Sequence, residues 1–574
     1  MSHLVSGATF TRSRTSLLAM VVLVGLAASA RGCALDYGGF SQDETNKLTA
    51  VRAYARGDWS ANAEHPMLMK LAMAASLAGA RAWNERGPDG RPAIAPEAAL
   101  RLPNALAGAA TVVPMFLLVR SFFGPAAGLL AALLLAFNVN ATGISRIGKE
   151  DAFLVLFLLL GAWCYEEARA RHLRTGKPAH RWYAASGAAF GLMMASKYMP
   201  YYLGLWALFG LADKATRARR AALRPDIGSQ PGTRPVDQRA SKWFLLAMSA
   251  AFVVANPAIL LPETWRYLLG YVSGATITHH GAFFAGRVYL NTIDATPWGL
   301  PWHFYLVYLV TKTPLPVLGA IALGLAELVR RRHDRGAVFA RVFLVLFLLP
   351  ASLAASKFAR YLLPTLAVLD IVAALGLLRA VELVRGGSGL PGRRLAAAAL
   401  VVTVLAAPVL AQIRAAPHPS LYQNAIGRKL WGPGAAFPND ELYDMGVREA
   451  VTWIAERAAP GASIASDAPG VVREYVRRAG RADIEARSLS GAGVATPPVE
   501  AWVVAQNSHL CFENLEVVEQ VRRRGHADYV YRVEGTPAAE VFRLWPQASM
   551  EGGGDRAGAR PAGSAPTVTV RSSR

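Results

Sequence analysis

Tyr361–Ala380 reads YLLPTLAVLDIVAALGLLRA, twenty residues with one acid and one base. At ~1.5 Å per residue a helix of that length covers about 30 Å, the thickness of a bilayer's hydrocarbon core. Ten further stretches share its character: 15–34, 102–120, 126–144, 152–168, 182–197, 199–213, 243–261, 303–329, 338–355 and 395–413. The pair 182–213 also reads as one buried hairpin turning at Lys197–Pro200, with polar flanks at Arg181 and Asp213. The segments between the spans settle their orientation. Arg169–Arg181, Lys214–Lys242, Arg330–Arg341 and Arg379–Arg394 are strongly basic, and Arg12 and Arg14 precede the first span. All fall on one side if every span crosses, and cations mark the cytoplasmic side. The other face then receives 36–100, 145–151, 262–302, 356–360 and everything after 414.

The composition agrees. Of 574 residues 53% are apolar and only 17% charged, with 61 Lys+Arg against 39 Asp+Glu and a net charge of +22. Mean hydropathy is +0.27. Soluble chains of this length carry nearer a quarter charged residues, so a wholly soluble enzyme is excluded, as is a disordered or fibrous chain. The basic excess sits between apolar runs, which argues for cytoplasmic loops and against a nucleic-acid partner. Cys33, Cys164 and Cys511 are too few and too scattered for a disulfide framework or a zinc site. Arg12, Arg14, the first apolar stretch and Ala28-Ser29-Ala30 also fit a cleavable signal peptide. Cleavage would leave Asp36 onward on the same outer face.

After residue 414 the character changes. Leu442–Arg457, Pro469–Arg478 and Glu513–Arg524 read as helices. Ala462–Ser466, Ala501–Ala505 and Tyr529–Val533 read as strands. That alternation predicts a small α/β domain over 415–550, following a membrane core over 1–414. The Gly/Ala/Pro/Arg-rich tail, 551–574, is expected to be disordered. The fold class expected is thus a polytopic α-helical membrane protein of about eleven spans with a small extracytoplasmic α/β domain.

The outer loops hold the residues that could do chemistry. Ser41-Gln42-Asp43-Glu44 is a capping box in which Ser41 caps a helix and Glu44 reaches back. Asp43 then lies in the first turn, where the helix dipole favours its ionised form, as a general base requires; the plain alternative is that both are simply first-turn acids. Glu64-His65-Pro66 opens a second helix with Lys70 one turn in. Arg146, Lys149, Glu150 and Asp151 lie between spans three and four. Lys197 tops span five, and Arg360 precedes span ten. Cations on the face that the charge bias disfavours call for an anion such as a phosphate, or for interfacial anchoring beside aromatics. His279 and His280, followed by Arg287, could join Glu64 around Zn²⁺ or Mn²⁺, although no ligand spacing marks a site.

Taken in order, Asp43-Glu44, Glu64-His65-Pro66 with Lys70, Ser145-Arg146…Asp151 and Ser196-Lys197-Tyr198 form one series. It continues with His280-Gly281-Ala282-Phe283-Phe284, Pro297-Trp298…Tyr305…Lys312-Thr313-Pro314-Leu315-Pro316 and Arg360-Tyr361-Leu362-Leu363-Pro364. The series resembles the family 39 glycosyltransferases of the GT-C superfamily, which are protein O-mannosyltransferases and lipid A aminoarabinose transferases, over roughly residues 15–415. The resemblance implies a polyprenyl-phosphate-linked sugar as donor and a protein, lipid or glycan hydroxyl as acceptor. Transfer would occur with inversion, on the periplasmic face of a bacterial inner membrane. It implies Asp43 as catalytic base with Glu44 beside it, and Lys70, Arg146, Lys197, Arg287 and Arg360 as donor-phosphate ligands. It also implies an optional metal at Glu64, His279 and His280. One departure is His65-Pro66-Met67-Leu68, where the protein mannosyltransferases carry a second proline. The charges cluster in loops and leave the span interiors nearly bare, which disfavours the alternative of a transporter. A non-catalytic scaffold presenting the C-terminal domain is the third reading.

Overall fold

The computed structural model describes residues 14–86, 92–223, 238–273, 281–290, 299–354, 356–386, 391–490, 500–544 and 567–570. A helix stands at each of the eleven expected spans. Among the described residues four are long and apolar enough to cross a bilayer alone: Pro96–Phe123, Arg335–Leu353, Ala359–Arg385 and Pro391–Ala415. The remaining expected spans fold as helices that are broken, shorter or more polar.

Helices α1 (Arg14–Gly32), α2 (Gln42–Tyr54), α3 (Leu68–Arg86), α4 (Pro96–Ala110) and α5 (Val112–Phe123) open the chain. Two expected spans are corrected next. Residues 126–144 are α6 (Pro125–Phe137) and α7 (Val139–Ser145), bent by 57° at Asn138. The break strands carbonyls, and Arg31 takes two of them, donating to Ala136 at 2.7 Å and Leu135 at 3.0 Å. Asn138 caps α7, its side chain accepting from the Asn140 and Ala141 N–H groups. Such partners are what a broken helix in hydrocarbon requires.

Then come α8 (Asp151–Thr175), α9 (His180–Ser196), α10 (Tyr201–Leu223), α11 (Gln238–Ala255) and α12 (Pro262–Val272). The second correction is 303–329, which divides at Thr313-Pro314 into α13 (Phe304–Lys312) and α14 (Leu315–Arg330). A proline cannot continue the hydrogen-bond ladder, and the Asn424 amide donates to the stranded Val310 and Thr313 carbonyls at 2.6 and 2.7 Å. Three long helices follow: α15 (Arg335–Leu353), α16 (Leu363–Arg385) and α17 (Pro391–Ala415). Helices α14 and α16 interlock through small residues. A Cβ on Gly324 would lie 1.9 Å from the Val372 carbonyl oxygen, and one on Gly376 1.9 Å from that of Ala320. Close approach of this kind is how membrane helices gain packing.

Two strands form a short antiparallel hairpin, β1 (Ala282–Phe284) and β2 (Arg287–Tyr289). The C-terminal region holds β3 (Ser463–Ser466), β4 (Glu485–Ser488), β5 (Ala501–Gln506), β6 (Tyr529–Val533), β7 (Thr536–Leu544) and β8 (Thr567–Val570). Their order is β4-β3-β5-β7-β6-β8, with β3 parallel to both neighbours and β7 antiparallel to both of its own. Strands β4 and β7 were not expected. Of the tail expected to be disordered, Thr567–Val570 are described and pair in parallel with β6.

This sheet region does not stand apart. One apolar cluster joins Phe40, Leu48, Met69, Met73 and Leu100 of the first loop to Val447, Val451, Val472, Trp502 and Val541. Arg52 makes a bidentate pair with Glu474 at 2.8 and 3.0 Å.

Candidate active site

The capping box forms as expected: the Ser41 side chain accepts from the Glu44 N–H, and Glu44 accepts from the Ser41 N–H at 3.0 Å. It aims two adjacent carboxylates in opposite directions. Glu44 points inward, is 0% exposed, and takes both arms of the Arg101 guanidinium at 2.7 Å. It also accepts from the Gly148 N–H at 2.9 Å. Expected beside Asp43 as a catalytic group, Glu44 has both oxygens engaged by Arg101, with the Gly148 and Ser41 N–H groups beside it.

Asp43 points outward, with its side chain 34% exposed. Three side-chain contacts from the described residues converge on its Oδ2: Lys149 Nζ at 2.9 Å, the Tyr443 hydroxyl donating at 3.0 Å, and Arg360 at 3.7 Å. Among the described residues no donor reaches Oδ1. Burial acts to raise the Asp43 carboxyl, but Lys149 and then Arg360 outweigh it and hold the group well below the usual carboxylate range.

Lys149 belongs to a run of three charges, two of them taken by α2 and the third by the end of α9. Lys149 reaches Asp43, Glu150 pairs with Lys47 on α2 at 2.6 Å, and Asp151 pairs with Lys197 at the end of α9 at 2.7 Å. The Lys197 ammonium also lies 4.5 Å from the Tyr361 ring centroid. Arg360 stacks on Phe358 at 4.0 Å, and among the described residues its buried Nε has no hydrogen-bond partner. Asp43, Arg360 and Tyr443 line a cavity of about 420 Å³, whose far wall is the sheet region, including Asp467, Ser488 and His509. Asp440, behind Arg360, accepts from the Ala359 N–H at 2.9 Å, and burial pushes its carboxyl up to about 6.

The other expected ligands lie elsewhere. Lys70 is fully buried and spends its ammonium on the Asn62 and His65 carbonyls at 2.7 and 2.9 Å. Arg146 donates to the Cys33, Ala34 and Pro417 carbonyls and lines a separate recess of about 60 Å³ with Tyr37 and His418. Arg287 is exposed at the start of β2. His279 and His280 lie outside the described residues. Glu64 accepts from the Asn62 amide, and among the described residues no group of three His, Cys, Asp or Glu side chains could hold a metal.

Lys149 carried a signal in the sequence, being a cation on the disfavoured face, but had no assigned role. Tyr443 carried none, because it lies 400 residues from the carboxylate it touches.

A family model described as dolichyl-phosphate-mannose-protein mannosyltransferase matches residues 94–223. The putative mannosyltransferases YycA and YkcB of Bacillus subtilis (strain 168) are 34% identical over 130 residues and 36% identical over 102 residues. Those matches span 22% and 17% of this chain, but only 17% and 13% of the two relatives. ArnT from Cupriavidus metallidurans in the apo state superposes with a TM-score of 0.50 at 14% identity, covering 92% of this chain and 98% of that one. The likeness is one of fold, and it covers nearly the whole of both chains.

Proposed function

We propose that the chain is a membrane glycosyltransferase that moves a sugar from a polyprenyl-phosphate donor to a hydroxyl acceptor, with inversion and with Asp43 as general base. The observation that carries this is the asymmetry of Asp43. Lys149, the Tyr443 hydroxyl and the longer Arg360 ion pair converge on Oδ2, while among the described residues no donor reaches Oδ1 and Asp43 lines a cavity large enough for a sugar. The donor phosphate enters beside Arg360 and Lys149, which turn from Asp43 to the incoming anion. Lys197, behind Tyr361, adds positive potential. As the C1–O bond to phosphate breaks, its electron pair passes to the phosphate and the fixed cations stabilise the growing charge. On the opposite face of the sugar the acceptor oxygen bonds C1 while its proton passes to Asp43 Oδ1.

Withdrawal of the two cations also raises the basicity of Asp43 at the moment a proton must be taken. The base is therefore weak in the resting enzyme and stronger once the donor is in place. A monophosphate donor has no diphosphate needing a metal bridge, and His279 and His280, expected beside Glu64, lie outside the described residues. By the charge bias of the loops the reaction belongs on the periplasmic face of a bacterial inner membrane.

The test is a paired measurement on purified protein. Asp43→Asn should bind the lipid-linked donor normally and lose transfer by roughly 10²–10⁴-fold. Near-normal transfer would refute the assignment.

A further inference from the structure

From the geometry we infer that the C-terminal region positions the base through one dipeptide, Tyr443-Asp444, which rests on the reading of Asp43 given above. These two residues adopt left-handed backbone conformations in succession, with φ of 46° and 62°. Neither is glycine, and side chains rarely occupy that region without a constraint that holds them there. Here each side chain reaches across to α2. The Tyr443 hydroxyl donates to Asp43 Oδ2 at 3.0 Å. The Asp444 carboxylate accepts from the Gln42 N–H at 2.9 Å, one of the N–H groups at a helix start that has no partner within the helix.

Asp444 is itself held from behind. The Gln506 amide donates to its Oδ1 at 3.0 Å, and His509 Nδ1 lies 3.3 Å from the same oxygen. Its backbone N–H donates to the Ser508 hydroxyl at 3.0 Å. The strained pair is thus bolted to the end of β5 on one side and to the helix bearing Asp43 on the other. Its negative charge also suits a helix N-terminus.

Tyr443 differs in kind from the other two partners of Asp43. Lys149 and Arg360 are cations for which a donor phosphate competes. Lys47 adds charge through space. The Tyr443 hydroxyl is neutral, and burial and the neighbouring Asp43 keep it far above its ordinary ionisation range. It is the one partner that stays on Oδ2 when the cations engage phosphate. That contact fixes the carboxylate's rotation and keeps Oδ1 toward the acceptor. Tyr443 and Asp444 are positioning residues.

The experiment compares full-length Tyr443→Phe, Asp444→Ala, Asp444→Asn and Asp43→Asn, assayed with a synthetic polyprenyl-phosphate sugar. Tyr443→Phe and Asp444→Ala should lower kcat about tenfold or more, with the donor KM within twofold of the parent. Asp444→Asn keeps an acceptor for the Gln42 N–H and should restore most of the rate. Loss of a donor on the carboxylate raises its pKa, so the acid limb of the kcat profile in Tyr443→Phe should move to higher pH. A dead Asp43→Asn alongside unchanged kcat and acid limb in Tyr443→Phe would overturn the positioning role and leave the base assignment standing. Transfer surviving in Asp43→Asn would remove both.

Discussion

Replacing Glu44 with Gln leaves Arg101 buried beside an uncharged amide. Breaking a buried pair from one side typically costs about 3–5 kcal/mol. The three backbone carbonyls that Arg101 also reaches, Leu35, Tyr37 and Gly39, put the expected loss near ~3 kcal/mol. Thermal unfolding in detergent should show it, well above the ~1 kcal/mol of a lost cap. Arg146→Ala should likewise lower the unfolding temperature while leaving donor KM unchanged, because its guanidinium ties together backbone and faces no part of the larger cavity. A rise in donor KM without destabilisation would return Arg146 to the phosphate. Asp440 predicts a pH effect of definite sign. Its folded value, about 6, lies above the ~3.9 of an exposed Asp. The stability linked to it is full below the unfolded value and is lost as pH rises through 6. Asp440→Asn should flatten the unfolding-temperature profile between pH 4 and 6. The roles of these residues were only half legible in the sequence. The capping box could be read from Ser41 and Glu44 three positions apart in one string. That Glu44 would also meet Arg101, or that Lys70 would turn to its own loop, depends on contacts no local pattern encodes.

Among the elements, the interlock of α14 and α16 makes the sharpest prediction. Gly324→Leu would drive a side chain into the Val372 backbone. Overpacking of this kind costs about 1–3 kcal/mol or more where backbone must move, and should appear as reduced thermal stability and yield. An outward substitution such as Leu325→Ala, on a side chain already 45% exposed, should be nearly silent. The spans themselves were legible because apolar length is a strong signal. Their breaks were not, since apolar flanks on both sides outweigh the few polar residues at Asn138-Val139-Asn140 and Lys312-Thr313-Pro314 when hydropathy is averaged over the length of a span. The second break had a proline to announce it, yet prolines also occur inside α15, at Pro350, and α17, at Pro408. What separates break from continuation is the presence of a partner such as Asn424 to receive the freed carbonyls. In the C-terminal sheet, β5 was visible as AWVVA. Strand β4, with the polar sequence EARS, offered no apolar alternation to read.

For the whole molecule, the charge bias predicts that the sheet region lies on the side of the membrane away from the cytoplasm. In a background lacking Cys33, Cys164 and Cys511, Gln520→Cys on an exposed helix face should react with an impermeant thiol reagent in intact cells. Arg332→Cys should react only after permeabilisation. The reverse pattern would end the topology and the proposed reaction together. The dependence of α2 on Asp444 has one more consequence, which concerns time rather than space. The Gln42 N–H and the carboxylate that receives it are 402 residues apart. A ribosome adding ~5–20 residues per second needs about 20–80 s to travel between them. Throughout that interval the helix that carries Asp43 is already in the membrane's vicinity, yet its last fastening has not been translated. With Asp43 as the proposed base, a nascent or prematurely terminated chain would be inserted and still be catalytically silent, the order of synthesis itself withholding the proposed transfer until the chain is finished.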